Sequence, residues 1–331
     1  METRKLGATG PQVSAIGLGA MGMSDLYGPA DERESIATIH AAIDAGVSLI
    51  DTGDFYGMGH NELLIARALR DRDREQVTIS VKFGGLRDPA MGWAGNDARP
   101  QAVKNFLAYT LTRLGTDHVD VYRPARLDPD VPIEETVGAI AEMIEAGYVR
   151  HVGLSEVGAE TIRRAAAVAP ISDLQIEYSL LSRGVEDEIL GTLRELGIGL
   201  TAYAVLSRGL LGGHWSPDRE LSSGDFRAFS PRFQGENMER NLAIARGLGE
   251  VAADLGVTSA QLAIAWVAAQ GEDIVPLVGA RRRDRLEESL AALAVDLSPS
   301  DLERIEAVVP RGSAAGERYA EALMTTLDSE R

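Results

Sequence analysis

Short apolar runs alternate along the chain with longer stretches whose apolar positions recur every three or four residues. The runs predict strands over 13–18, 47–51, 78–83, 119–124, 149–154, 173–178, 199–205 and 274–279. The longer stretches predict helices over 32–45, 61–70, 101–114, 134–146, 159–168, 186–196, 238–255, 258–269, 284–294 and 300–308. The strands are apolar throughout, as expected where both faces of a sheet are covered. Sustained alternation implies a parallel sheet, and eight units in this length fit a closed (β/α)8 TIM barrel better than an open sheet. Before the first strand, Ala8-Thr9-Gly10-Pro11 lies between Lys5-Leu6-Gly7 and Val13 to Ile16. That predicts a β-hairpin running into the first core strand, which ends at Gly17-Leu18-Gly19.

No linker divides the chain, so residues 1–331 are expected to form a single α/β domain with extra helices. Two segments fall outside the repeat. Residues 207–237 are rich in Gly, Ser, Pro and Arg and lack a period; a loop of that length in a compact domain is usually functional or disordered. Residues 310–331 are polar and rich in Gly and Ala, and read as a frayed C-terminal tail in preference to a flap over the barrel mouth.

Composition narrows the field. Of the 331 residues 45% are hydrophobic, enough for a large core, and there is no cysteine, which excludes disulfides, thiolate catalysis and thiolate metal sites. The formal net charge of −17 argues against attraction to nucleic acid or an anionic membrane. The start lacks the apolar core of a signal peptide, and no run reaches the ~18 apolar residues of a membrane span. A cytoplasmic protein is the expectation, with its oligomeric state left open.

The chemistry gathers at the ends of two neighbouring strands. Asp51 closes one, Tyr56 follows within the glycine-bearing stretch to Gly57, and Lys82 ends the next. A phenol has a solution pKa near ~10. An ammonium beside it is expected to lower that value, and a carboxylate paired with the ammonium keeps it charged and oriented. Spacing alone equally allows a structural ion pair capped by a tyrosine. Position at the C-terminal ends of barrel strands favours chemistry.

Four arginines in five positions, Arg281, Arg282, Arg283 and Arg285, follow the last strand after Gly279 and Ala280. Cations at a helix N-terminus oppose its dipole, so an anion such as phosphate is a reasonable companion. The plainer reading pairs them with Glu287 and Glu288. Leu206, Ser207, Arg208 and Gly209 leave strand seven in a turn whose amides and guanidinium suit a pyrophosphate. Tyr178, after strand six, reads either as a core tyrosine or as a stacking platform. The spacing Gly17-x-Gly19-x-x-Gly22 fits a dinucleotide fingerprint but is read as accidental, because a loop over 23–30 intervenes before the helix. None of His40, His60, His118, His151 and His214 has metal-ligand spacing, so no metal is assigned.

These residues occur in the order found in the aldo-keto reductases. With Gly153-Leu154-Ser155 and Gln175 to Ser179, the chain resembles that family along nearly its whole length, and Gly316-Glu317-Arg318-Tyr319 is similar to the branch of perakine-reductase-like plant and bacterial enzymes. The resemblance implies a barrel that binds NADPH or NADP+ without a Rossmann domain and reduces an aldehyde or ketone. It implies Tyr56 as proton donor tuned by Asp51 and Lys82, with Ser155 and Gln175 on the carboxamide and Tyr178 stacked on the nicotinamide. Leu206 to Gly209 would follow the pyrophosphate and Arg281 and Arg285 the 2′-phosphate. Met21, Phe55, Phe83 and Trp93 are candidates for an apolar substrate wall, with specificity expected in loops 20–31, 85–99 and 207–237. One departure stands out: Ala125 occupies the position of the family's active-site histidine. Losing such a donor is expected to slow the chemical step by ~10²–10³-fold. Two readings therefore stand, a carbonyl reductase with an incomplete tetrad and a weakly active or non-enzymatic NADPH-binding sensor or interaction protein. A Schiff-base aldolase on Lys82 is disfavoured, because Asp51 would hold the amine protonated.

Overall fold

All eight expected runs contribute a strand to one closed parallel barrel in the computed structural model, which describes every residue except 25, 91, 217, 218, 223 and 331. In chain order these are β1 (Gly17–Gly19), β2 (Leu49–Gly53), β3 (Thr78–Phe83), β4 (Val119–Pro124), β5 (Val149–Ser155), β6 (Ile171–Glu177), β7 (Gly199–Tyr203) and β8 (Ile274–Gly279). Each pairs with the next, and β8 closes on β1 through Leu277↔Gly17, Val278↔Leu18 and Gly279↔Gly19. The main helices are α1 (Glu32–Asp44), α2 (His60–Leu69), α3 (Pro100–Leu114), α4 (Ile133–Glu145), α5 (Ala159–Ala166), α6 (Ile189–Leu196), α7 (Gly235–Asp254), α8 (Ser259–Ala268), α9 (Arg283–Leu290) and α10 (Pro299–Val308). Among the described residues no single helix is long and apolar enough to cross a membrane.

Strand parity divides the core into two zones. Outward-facing Ile50, Val81, Tyr122, Leu154, Leu174 and Ala202 join helical Ile39, Leu64, Leu107, Ile140, Ile162, Leu193 and Ile264 in one apolar cluster between barrel and helices. The alternate residues point inward and are largely polar. Arg123 donates to Asp173 at 2.9 and 3.2 Å and to Ser80 Oγ at 3.0 Å, while Thr201 donates to Asp173 at 2.5 Å. Ser80 in turn donates to Asp51 at 2.9 Å. Only glycine fits at 153, because a Cβ there would lie 2.9 Å from the Arg123 guanidinium carbon. The bottom of the barrel is apolar: Leu6 and Val13 of the N-terminal hairpin pack on Leu49 and Val275.

The structure redraws several boundaries. The expected first strand over 13–18 is two pieces. Gln12–Ser14 pairs with Thr3–Lys5 in the hairpin, and the barrel strand starts at Gly17. Ser14 turns the chain by donating to the Ile16 carbonyl at 2.7 Å, while it exchanges bonds with Ser48 at 2.8 and 3.0 Å. The 85–99 loop contains a small hairpin, Gly85–Arg87 against Trp93–Asn96. Residues 207–237 hold three 3-10 turns, and α7 begins there at Gly235. Described residues of that loop dock on loop 20–31, where Tyr27 bridges Asp225 and the Phe226 N–H donates to the Leu26 carbonyl at 3.0 Å.

The C-terminal segment is a strap, contrary to the frayed-tail expectation. Asn241 of α7 exchanges bonds with Ala315 at 2.9 and 2.8 Å, and Asp328 accepts from the Gly158 N–H at 2.8 Å. Leu327 is buried. Between these anchors Arg318 enters the barrel mouth and pairs with Glu156 at 2.8 Å.

Candidate active site

The pairing of β2 with β3 sets Asp51 opposite Ser80 and Gly53 opposite Lys82, so both ionic side chains point inward on adjacent strands. The Lys82 ammonium pairs with Asp51 Oδ1, and both groups are buried. Asp51 Oδ2 accepts from Ser80 Oγ at 2.9 Å and from Gln175 Nε2 at 2.7 Å. Three donors thus hold one carboxylate. Tyr56 opens a 3-10 turn, Tyr56–Gly59, directly beyond β2. The turn passes through positive φ at Gly57 and at Met58, both at 55°. A left-handed non-glycine residue is a local strain, of the kind found at functional loops. Lys82 Nζ lies 5.3 Å from the Tyr56 ring centroid, so the two groups share one rim.

The charge balance on the phenol differs from the sequence expectation. Burial, and then the Asp51 carboxylate, raise the Tyr56 pKa well above its usual value, and the cation that opposes them most is Arg126. Burial lowers the Lys82 pKa despite its carboxylate partner. Sequence spacing weighed the ammonium against the phenol but could not weigh the loss of water around both. The arrangement keeps Tyr56 a neutral phenol.

Ala125 is buried just past β4, its N–H donating to the Phe83 carbonyl at 2.8 Å. Ser155 and Gln175 are buried at the inner ends of β5 and β6. Phe55 packs edge-on against Tyr56 at 4.8 Å and Trp93 at 5.5 Å, giving one aromatic wall beside the phenol. Met21 starts a 3-10 turn after β1 and is half-buried.

Four expected roles do not fit the geometry. Phe83 follows Lys82 and so faces outward; it stacks on Tyr122 at 4.3 Å under the helices and cannot line a substrate wall. Tyr178 is likewise in phase with the outward residues of β6. It is fully buried, its ring edge-on to Trp266 of α8 at 5.6 Å and its hydroxyl on Glu186 at 2.8 Å, so it offers no face for stacking. Arg208 has its charge met by Glu177 at 2.9 Å and lies 4.2 Å from the centre of the Tyr319 ring, so its guanidinium is not free for a pyrophosphate. The backbone is left-handed at Ser207, Arg208 and Gly209. Arg285 pairs with Glu288 at 2.9 Å, as the plainer reading of the arginine run has it. Arg282 and Arg283 pair with Asp284 at 2.8 Å and Glu34 at 3.0 Å. Arg281 alone of the four meets carbonyls instead, those of Tyr27 and Pro29, each at 3.1 Å. Beside exposed Gly279 and buried Ala280, it lines a cavity of ≈ 650 Å³ with Pro29, Ala30 and the start of α9.

Other mouth residues were missed. Tyr203 ends β7 in phase with inward Thr201 and bonds Glu156 and Tyr319 at 2.8 and 2.9 Å. Parity along 199–205 was the signal that would have chosen it over Tyr178. Glu156, Glu177 and Arg318 form a buried ion cluster; it is held by the strap, and nothing in local spacing announces it.

Comparison with known proteins agrees with this geometry. Residues 15–310 match the model of the aldo/keto reductase family. A probable aldo-keto reductase 1 from Glycine max is 41% identical over 324 residues, spanning 96% of this chain and 92% of that one. Among solved structures, the glycerol dehydrogenase AKR11B4 from Gluconobacter oxydans superposes with a TM-score of 0.83 at 26% identity, covering 92% of this chain and 94% of its own. The thermostable aldo-keto reductase Tm1743, solved with the inhibitor epalrestat, gives 0.74 at 28% identity, covering 93% of this chain and 100% of its own. The chain belongs to the aldo/keto reductase family, oxidoreductases that act on small carbonyl compounds with nicotinamide cofactors.

Proposed function

We propose that this protein reduces an aldehyde or ketone to an alcohol using NADPH, with Tyr56 as the proton donor. The observation that carries the reading is the buried cluster in which Lys82, paired with Asp51, lies beside the Tyr56 ring. The donor set suits a nicotinamide dinucleotide. Ser155 and Gln175 offer a hydroxyl and an amide at the barrel centre, left-handed backbone at 207–209 offers turned amides, and Arg281 stands at the cavity after β8. Arg281 has no carboxylate partner among the described residues, which supports a 2′-phosphate and hence NADPH over NADH. When bound, the cofactor supplies the hydride.

The chain's own residues do the rest. Burial keeps Tyr56 protonated until negative charge builds on the substrate oxygen, at which point its proton moves to that oxygen. Lys82 and Arg126 then face the resulting phenolate and offset its charge. Asp51, fixed by Ser80 and Gln175, holds the ammonium in place. The aromatic pair of Phe55 and Trp93 presents an apolar wall beside the phenol. Ala125 offers no hydrogen bond to the carbonyl, so turnover about 10²–10³-fold slower than in a complete tetrad is expected. That same residue favours the second reading, an NADPH-binding sensor or interaction protein.

Absorbance at the nicotinamide band over a panel of aldehydes and ketones separates the two. The reductase reading expects NADPH consumption that falls by at least about 10²-fold in Tyr56→Phe. Tight NADPH binding by an inert wild type would establish the second reading instead, and undiminished turnover by the Phe variant would remove Tyr56 as the donor.

A further inference from the structure

The barrel mouth gathers arginines in a chain whose net charge is −17. Most are neutralised on the spot. Arg208 is held by Glu177 at 2.9 Å, Arg318 by Glu156 at 2.8 Å, Arg227 by Asp225 at 2.5 Å, and Arg232 shares Glu177 at 3.4 Å. Arg126 is different. Its Nη1 donates to the carbonyl of Ala125 at 2.7 Å and its Nη2 to the Tyr319 hydroxyl at 3.4 Å, with that ring 6.0 Å from the guanidinium carbon. No carboxylate pairs with it among the described residues. Glu156 is the carboxylate whose charge acts on it, and that group is already committed to Arg318, Ser329 and Tyr203. The Glu156 charge reaches Arg126 without direct contact, so the half-buried guanidinium, with one donor on a carbonyl and one on a hydroxyl, can still take a carboxylate of its own.

Its place in the barrel says which anion. Arg126 follows β4, and β4 stands opposite β8 in the closed ring of eight. Arg281, assigned above to the cofactor's phosphate, follows β8. The two guanidinium groups therefore serve opposite ends of the mouth, with Lys82 and Tyr56 on the strand pair next to β4. The residue before Arg126 is alanine, so no bulky side chain at 125 competes for the space. The charge of Arg126 is felt at both Tyr56 and Lys82, in keeping with its place on the same rim.

We propose that Arg126 binds a carboxylate of the substrate, and that the preferred substrates are oxo acids: aldehydes or ketones that carry a carboxylate. The assignment rests on the reductase reading for the carbonyl, and on Arg126 alone for the acid. Arg is suited to grip both carboxylate oxygens.

The test compares 4-carboxybenzaldehyde with its neutral methyl ester as NADPH-dependent substrates, and benzoate with benzyl alcohol as ligands of the NADP+-saturated protein followed by thermal shift. The acid is expected to exceed the ester in kcat/KM by about tenfold to a hundredfold. Arg126→Gln should bring that ratio close to one and abolish the shift given by benzoate. Arg126→Lys, which keeps the charge but not the fork, should retain part of both and stands in if the Gln variant fails to fold. A wild-type ratio near one, with ester reduction abolished by Tyr56→Phe, overturns this inference and leaves the reductase standing. Benzoate binding through Arg126 without turnover of any carbonyl keeps the anion site and overturns the reductase. Benzoate binding undiminished in Arg126→Gln, or loss of NADP+ affinity in place of discrimination, assigns the guanidinium elsewhere.

Discussion

Asp54 lies between Asp51 and Tyr56 and is itself buried, with one carboxylate oxygen taking a 3.4 Å bond from the Gly84 N–H and the other unpartnered. Burial first, and then the charge of Glu62, raise its pKa to about 7. The unfolded chain ionises this group near its ordinary value of 3.8, so between that value and about 7 the folded state holds the extra proton. Stability from this residue is therefore complete at low pH and is lost as pH rises towards 7, after which it levels off. The shift corresponds to an order of magnitude of about 4 kcal/mol. Asp54→Asn should flatten that decline and raise stability at pH 8, read from urea unfolding across the pH range. An unchanged slope would assign the titration to another group. The residues that formed the site were legible where parity and motif agreed, as for Asp51, Lys82 and Gln175. They were misread where a motif was followed without parity. Tyr178 and Phe83 are each one residue past an inward position, and one residue is enough to turn a strand side chain to the other face.

At the scale of elements, periodicity located all eight barrel strands, because burial against two layers imposes a pattern that composition alone can show. It could not locate the strap or the docked loop. Those segments are held by individual arginine–carboxylate and amide bonds that bring together residues far apart in sequence, and such pins have no period. Arg318 is the main one, meeting Glu156, Glu177 and Glu330 at 2.8, 3.5 and 2.6 Å. Arg318→Met should leave the buried Glu156 carboxylate without its cation, Glu177 keeping Arg208, at a cost of about 3–5 kcal/mol. The expected sign is early proteolytic cleavage within 310–331 while the barrel stays intact, followed by mass spectrometry. Cleavage at the wild-type rate would show that Asn241 and Asp328 hold the strap without it.

Across the whole molecule, the barrel interior is built around a hydrogen-bonded seam running from Lys82 through Asp51, Ser80 and Arg123 to Asp173 and Thr201. Arg123 and Asp173 are both fully buried, so each is tolerable only in the presence of the other. Arg123→Met and Asp173→Leu should each destabilise by about 3–5 kcal/mol, whereas the double variant should recover most of that loss. Equilibrium unfolding of the three proteins measures the coupling, and additive losses would refute it. The seam also constrains how such a barrel can drift. A lineage that mutates one member of the pair passes through a poorly folding intermediate before it can change the other. Both positions are therefore expected to stay fixed together or to be exchanged together, and a descendant that exchanged them would leave the Ser80 hydroxyl, and through it the Asp51 carboxylate, without its anchor.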